Sequence, residues 1–104
     1  MIIYNVTISI IDPTIENEWL KWMRETHIPD VMNTNQFLDF KICKVLVEDE
    51  ATYAIQYSCE SQEKLDYYLA NFAPKLMQEH STKYHGKFGA FRTFLQLIDQ
   101  GKNE

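Results

Sequence analysis

The chain is predicted to fold as an α+β domain in the order βαββαβ, with two helices on one face of an antiparallel sheet. Three observations carry that prediction. Four stretches alternate apolar and polar residues with the period of two of a half-covered strand. Two longer stretches repeat apolar residues every three or four positions, as an amphipathic helix does. Proline, glycine and acidic residues fall between these stretches, where turns belong.

Residues 2 to 11 form the first strand. Ile2, Tyr4, Val6, Ile8 and Ile10 share one face, and Asn5, Thr7 and Ser9 share the other. Asp12-Pro13 follows as an N-cap and a proline at the first helical position, where its missing N–H costs nothing. The first helix should run from about 13 to 27, with Ile15, Trp19, Trp22, Met23 and Thr26 on one stripe and His27 at its edge. Ile28-Pro29 predicts a break, with one further turn over residues 30 to 34. Residues 36 to 47 read as the second strand. Its alternation is spoiled by Lys44, in phase with Leu38, Phe40 and Ile42, and a bulge would reconcile it. Glu48-Asp49-Glu50 makes a turn. The third strand, 51 to 59, sets Tyr53, Ile55, Tyr57 and Cys59 on one face. Ser61 caps a second helix over 62 to 82, whose stripe is Leu65, Tyr68, Leu69, Phe72 and Leu76, with His80 at the edge. Pro74 should bend or split it. Gly86 and Gly89 bracket the entry to the last strand, 87 to 98, and the tail 99 to 104 is expected to fray.

Right-handed crossovers in this order give the ferredoxin-like arrangement, strand order 4-1-3-2, as one domain over 1 to 104. The helices are expected to cover Tyr4, Val6 and Ile8, then Tyr53, Ile55 and Tyr57, and Phe91, Leu95 and Leu97. The open face then receives Asn5, Thr7, Ser9, Gln56, Ser58, Phe88, Arg92 and Phe94, extended by Phe40 and Leu38. A plain solvated surface has no need of phenylalanines around an arginine. A pocket or a wet interface does.

Composition narrows the partners. Fifteen acidic against ten basic residues leave a net charge of -5, which opposes binding to nucleic acid or to anionic membranes. No stretch approaches the ~18–20 apolar residues of a membrane span. The apolar start alternates and lacks a basic region and a cleavage site, so no signal peptide is expected and the cytoplasm is the expected residence. Cys43 and Cys59 are then expected reduced and buried. His27, His80 and His85 lack metal-ligand spacing, and no metal or other cofactor is implied. A domain of 104 residues buries only about two thirds of its extended surface, so pairing with a second copy would add stability.

Several segments together resemble the small bacterial family known as DUF4286, a domain of unknown function. They are I-Y-N-V-T at 3 to 7, W-L-K-W-M at 19 to 23, H-I-P-D-V-M at 27 to 32, Y-A-I-Q-Y at 53 to 57, A-P-K-L at 73 to 76, E-H at 79 to 80 and A-F-R-T at 90 to 93. The resemblance implies a homodimeric alpha-beta barrel of ferredoxin-like protomers and assigns no activity. The wider barrel superfamily includes cofactor-independent monooxygenases and haem-degrading enzymes with an interior pocket. The haem-degrading branch uses a strand asparagine, a tryptophan and a histidine. Asn5 and His80 fall in similar places, but there is no tryptophan outside the first helix. The H-I-P turn implies that His27 can touch the pocket.

Each candidate residue has a structural and a functional reading. Trp22 belongs either to the helix-on-sheet core or to a pocket wall. His27 and His80 either cap a helix C-terminus or carry a proton in catalysis. Arg92 either lays its stem on aromatics with its head in solvent, or clamps an oxygen inside an apolar cavity lined by Phe88 and Phe94. Asn5 and Gln56 would flank it and orient a ligand, or satisfy each other or water. The functional expectation is a small cytosolic homodimer that binds a small organic molecule or serves as an accessory protein. The alternative is cofactor-free oxygenation or isomerisation of a small aromatic compound, with Arg92 and Asn5 on an oxyanion and His27 or His80 as base. That alternative requires a cavity of about 300 Å³ or more. Haem binding is a further alternative.

Overall fold

The computed structural model describes residues 1–103; Glu104, the end of the expected frayed tail, lies outside the described residues. Strands β1 (Ile2–Ile10), β2 (Asp39–Lys44), β3 (Ala51–Cys59) and β4 (Phe88–Gln96) form one antiparallel sheet in the order β2-β3-β1-β4. This is the expected ferredoxin-like topology.

The first helical stretch opens with a 3-10 turn, Pro13–Ile15, capped by Asp12, whose carboxylate accepts from the Thr14 N–H at 3.0 Å. It continues as α1 (Glu16–Trp22), a π-helical turn (Met23–His27) and α2 (Ile28–Met32). The expected break at Pro29 is absent. The Ile28 N–H bonds Met23 O, five residues back, so the widened turn has already left the α pattern where Pro29 brings no donor. The second stretch does divide near Pro74, into α3 (Gln62–Asn71) and α4 (Ala73–Lys83), and the Ser61 hydroxyl accepts from the Lys64 N–H at 3.2 Å. Gly86, at φ +74, takes the left-handed turn that leads into β4.

The core lies between helices and sheet. Trp19, Met23, Ile28, Val31 and Leu65 from the helices meet Tyr4, Ile8, Ile55, Tyr57 and Cys59 from the strands. Residues paired across antiparallel strands point to the same face, so the pairing itself assigns the sides. Several expectations change. β4 is inverted: Phe94, Arg92, Ala90 and Phe88 pair with Tyr4, Val6, Ile8 and Ile10, and so share their helix-covered face. Phe91 and Leu95 pair with Thr7 and Ile3 on the open face. Both phases of this strand are rich in phenylalanine, so the arginine-free one looked like the core. As an edge strand only partly roofed by helix, β4 admits Arg92 on its inner side.

β2 is shorter than expected and pairs without a bulge. Phe40, Ile42 and Lys44 lie on the helix side, opposite Tyr57, Ile55 and Tyr53. Lys44 interrupts the apolar phase because its ammonium reaches Glu16 of α1 at 3.4 Å, while the Tyr53 hydroxyl donates to the same carboxylate. Cys59 is buried, but Cys43 is exposed, because its partner Ala54 puts it on the open face of an edge strand.

Candidate functional site

The inversion of β4 brings together the groups that matter. Arg92 sits on the same side of the sheet as His27, from the π turn, and His80, from α4. All three line one cavity of about 210 Å³ between helices and sheet. Phe88, Met23, Tyr68 and Leu76 supply apolar wall, and the exposed Ser81 of α4 and Ala90 of β4 also line it. A cavity of about 150 Å³ already admits a benzene ring. The volume here suits one ring and falls short of the ~300 Å³ at which drug-sized pockets begin.

Arg92 is held by Tyr4: its Nε–H donates to the phenol oxygen at 2.9 Å. Tyr4 is buried in an aromatic cluster with Phe37, Tyr57 and Tyr68. Burial raises the pKa of its phenol, and the Arg92 charge and hydrogen bond pull against that. Burial also raises Tyr57 and Tyr68, so these phenols stay neutral. Among the described residues no carboxylate lies within ion-pair reach of Arg92. Among the described residues, none that lines the cavity is acidic.

The two imidazoles are ordered by aromatic neighbours. Trp22 stacks on His27 with ring centres 5.2 Å apart and packs on His80 at 5.8 Å. Phe88 meets His80 edge-on at 4.2 Å, and the two imidazoles are 5.7 Å apart. Burial is the main cause that depresses both histidines to a pKa of about 4, so both are neutral at pH 7. For His27, Arg92 adds to the depression and Asp30 opposes it. For His80, His27 and then Arg92 add to it. His80 Nε2 accepts a hydrogen bond from the buried Trp19 indole N–H at 2.9 Å, while His27 Nδ1 is buried without a partner.

The sequence-derived candidates therefore divide. His27, His80, Arg92 and Phe88 converge on the cavity. Trp22 backs both imidazoles without lining it. Phe94 stacks on Tyr4 at 5.5 Å, beyond the wall. Asn5 and Gln56 pair with each other on the opposite sheet face and cannot flank Arg92. Asn5 instead donates to Thr7 at 3.2 Å. Sequence reasoning missed Tyr4 and Trp19 as partners of polar site groups. Tyr4 sits diagonally across the strand pair from Arg92, a relation visible only once the register is known. Three histidines make no metal cluster here: no group of three or more His, Cys, Asp or Glu side chains that could hold an ion occurs among the described residues.

The fold and this site are those of an α+β domain with a small aromatic cavity under one sheet edge. Residues 1–98 match the model of the domain of unknown function DUF4286, and the chain belongs to that family. No curated protein matches the sequence. Solved structures similar in fold include a dimeric ferredoxin-like protein from an uncultured marine organism, at 10% identity, covering 96% of this chain and 97% of that one, with a TM-score of 0.73. An EthD family protein from Bacillus halodurans aligns at 14% identity over 94% and 100% of the two chains, with a TM-score of 0.66. A variant of SnoaB, a cofactor-independent oxygenase from Streptomyces nogalater, aligns at 10% identity over 95% of each chain, also at 0.66. Among the described residues no helix is long and apolar enough to cross a membrane.

Proposed function

We propose that the protein is a cytoplasmic homodimer that binds a small organic molecule: one planar ring bearing an anionic or carbonyl oxygen, held by Arg92 in the cavity between helices and sheet. One observation carries this. Among the described residues, a guanidinium enters an aromatic cavity without a carboxylate partner, beside two imidazoles that add no charge of their own at pH 7. An anion placed there gains a charge-assisted bond in surroundings poorer in water than bulk solvent. Aromatic and apolar wall residues match the body of the ring.

Pairing is supported by the marine neighbour, which is described as dimeric, and by the open sheet face, where Phe91 and Leu95 are 61% and 41% exposed. The two unbridged cysteines suit a reducing compartment.

A second reading, cofactor-free oxygenation or isomerisation of a small aromatic compound, draws support from the neutral His27 beside Arg92, but the cavity of about 210 Å³ is below the ~300 Å³ it calls for and limits it to a one-ring substrate. The base would take a proton while Arg92 held the oxyanion, without the Asn5 contribution. Haem does not fit. A tetrapyrrole far exceeds a cavity of about 210 Å³, and His80 Nε2 is already engaged by Trp19.

Salicylate, a single ring with a carboxylate, tests the leading proposal by quenching of Trp22 and Trp19 fluorescence. Arg92→Met keeps much of the stem and removes the charge. Its affinity should fall at least about tenfold, the scale of one charged hydrogen bond. Equal affinity in the variant and the parent would refute the role of Arg92.

A further inference from the structure

The indole of Trp19 is wholly buried, and its N–H points at His80 Nε2 at 2.9 Å. An indole nitrogen can only donate, so Nε2 must be the bare, accepting nitrogen. A neutral imidazole then carries its one proton on Nδ1. We propose that Trp19 is a positioning residue that locks His80 in its Nδ1–H form, making His80 a hydrogen-bond donor beside Arg92 for an acceptor-only oxygen on the ring in the cavity.

The consequence is a choice of ligand class. Arg92 has five N–H donors and no acceptor, and the locked His80 adds another donor. A carboxylate, phenolate or quinone-type carbonyl oxygen satisfies both. An ammonium group at the same point would face the Arg92 charge and the N–H donors of Arg92 and His80, and is disfavoured. The lock also separates the two histidines. His80 cannot accept a ligand proton at Nε2 while Trp19 occupies it, so a proton leaving the ligand has His27 as its acceptor.

Because this rests on the ligand-binding role proposed above, the test has one arm without ligand. Long-range proton–nitrogen correlation on 15N-labelled protein at neutral pH reads the tautomer of each histidine. His80 should show a protonated Nδ1 and a bare Nε2. Trp19→Phe should move His80 toward the Nε2–H form and weaken salicylate binding about tenfold. Trp19 lies in the core, and its replacement can unfold the chain. A second pair of variants therefore stands beside it. His80→Asn places an amide N–H near the Nδ1 position and should bind salicylate more tightly than a variant with no donor there. His80→Gln reaches the Nε2 position and should lose about tenfold. Benzylamine should not bind the parent protein. A bare Nδ1 in the parent protein, or His80→Gln binding as tightly as His80→Asn, overturns the lock and its donor role. A protonated Nδ1 with no salicylate binding to the parent protein upholds the lock and overturns the ligand-binding role.

Discussion

Two neutral histidines in one cavity make the molecule sensitive to acid. Their pKa is about 4 in the folded protein against 6.5 for an ordinary imidazole. As pH falls, the unfolded chain takes up protons first. The stabilising effect of keeping them neutral is full above about pH 6.5 and is lost between there and about 4. The groups around them work against a gentler profile: Arg92 repels both imidazolium forms, His27 and His80 repel each other, and exposed Asp30 offers His27 only partial relief. Chemical denaturation at stepped pH should therefore give a nearly constant unfolding free energy from pH 8 to about 7, then a fall of up to about 1.4 kcal/mol per pH unit for each of the two histidines. A His80→Asn, His27→Gln double variant should flatten that fall. A profile flat down to pH 4 in the parent protein would contradict the burial of these imidazoles. The neighbouring Tyr84 gives a prediction of opposite sign. Its hydroxyl is buried without a partner, so Tyr84→Phe removes a desolvated group and no hydrogen bond. Thermal denaturation should find Tyr84→Phe as stable as the parent protein or about 1 kcal/mol more stable. At this scale the sequence was informative about residue identity. His27 and His80 stood out at the edges of apolar helix stripes, and Arg92 as a charge in mid-strand among Phe88, Ala90 and Phe94. What it did not reveal was their partners, since Trp19–His80 and Tyr4–Arg92 are long-range contacts that depend on helix placement and strand register.

At the scale of elements, legibility followed how one-sided each pattern was. β1 and β3 separate Tyr4, Ile8, Ile55 and Tyr57 cleanly from Asn5, Thr7, Gln56 and Ser58, and their faces were readable. β4 offers phenylalanine on both sides, and a one-residue choice of phase moved Arg92 to the wrong face of the sheet. Asn5 and Gln56 were grouped with it for that reason alone. The first helix misled differently. Pro29 is a sound stop signal in an α pattern, but the π turn over Met23–His27 had already shifted the hydrogen bonds. That turn also carries His27 into the cavity wall, so the irregularity and the candidate site coincide. The helix caps were legible because their chemistry is local. Ser61→Ala removes the acceptor of the Lys64 N–H and should cost about 1 kcal/mol in denaturant titrations, with salicylate affinity unchanged because the cap is remote from the cavity wall. A loss of affinity at unchanged stability would mean that α3 positions the site more directly than its contacts indicate.

At the scale of the whole molecule, the two faces of the sheet differ in character. The helix face encloses the cavity. The open face carries Ile3, Phe91 and Leu95 among Asn5, Thr7 and Thr93, an apolar stripe in polar surroundings. If a second copy covers that stripe, symmetry places each residue at the interface twice, so one introduced charge is doubled. Phe91→Glu is the discriminating change. Its side chain is 61% exposed in the protomer, so the substitution should leave the fold within about 0.5 kcal/mol apart from lost association. Sedimentation velocity at micromolar concentration should then show a monomer where the parent protein shows a dimer. The melting temperature should lose its dependence on protein concentration. Tyr67→Glu serves as a control, because Tyr67 is comparably exposed but lies on α3, on the helix side of the molecule. It should leave the assembly intact. The monomeric Phe91→Glu protein should still bind salicylate, since Arg92 and both histidines lie across the sheet from the substitution. Dissociation with retained binding would establish that the sheet separates assembly from recognition. Sedimentation as a dimer would place the contact elsewhere, and joint loss of dimer and ligand would mean that the partner copy shapes the cavity.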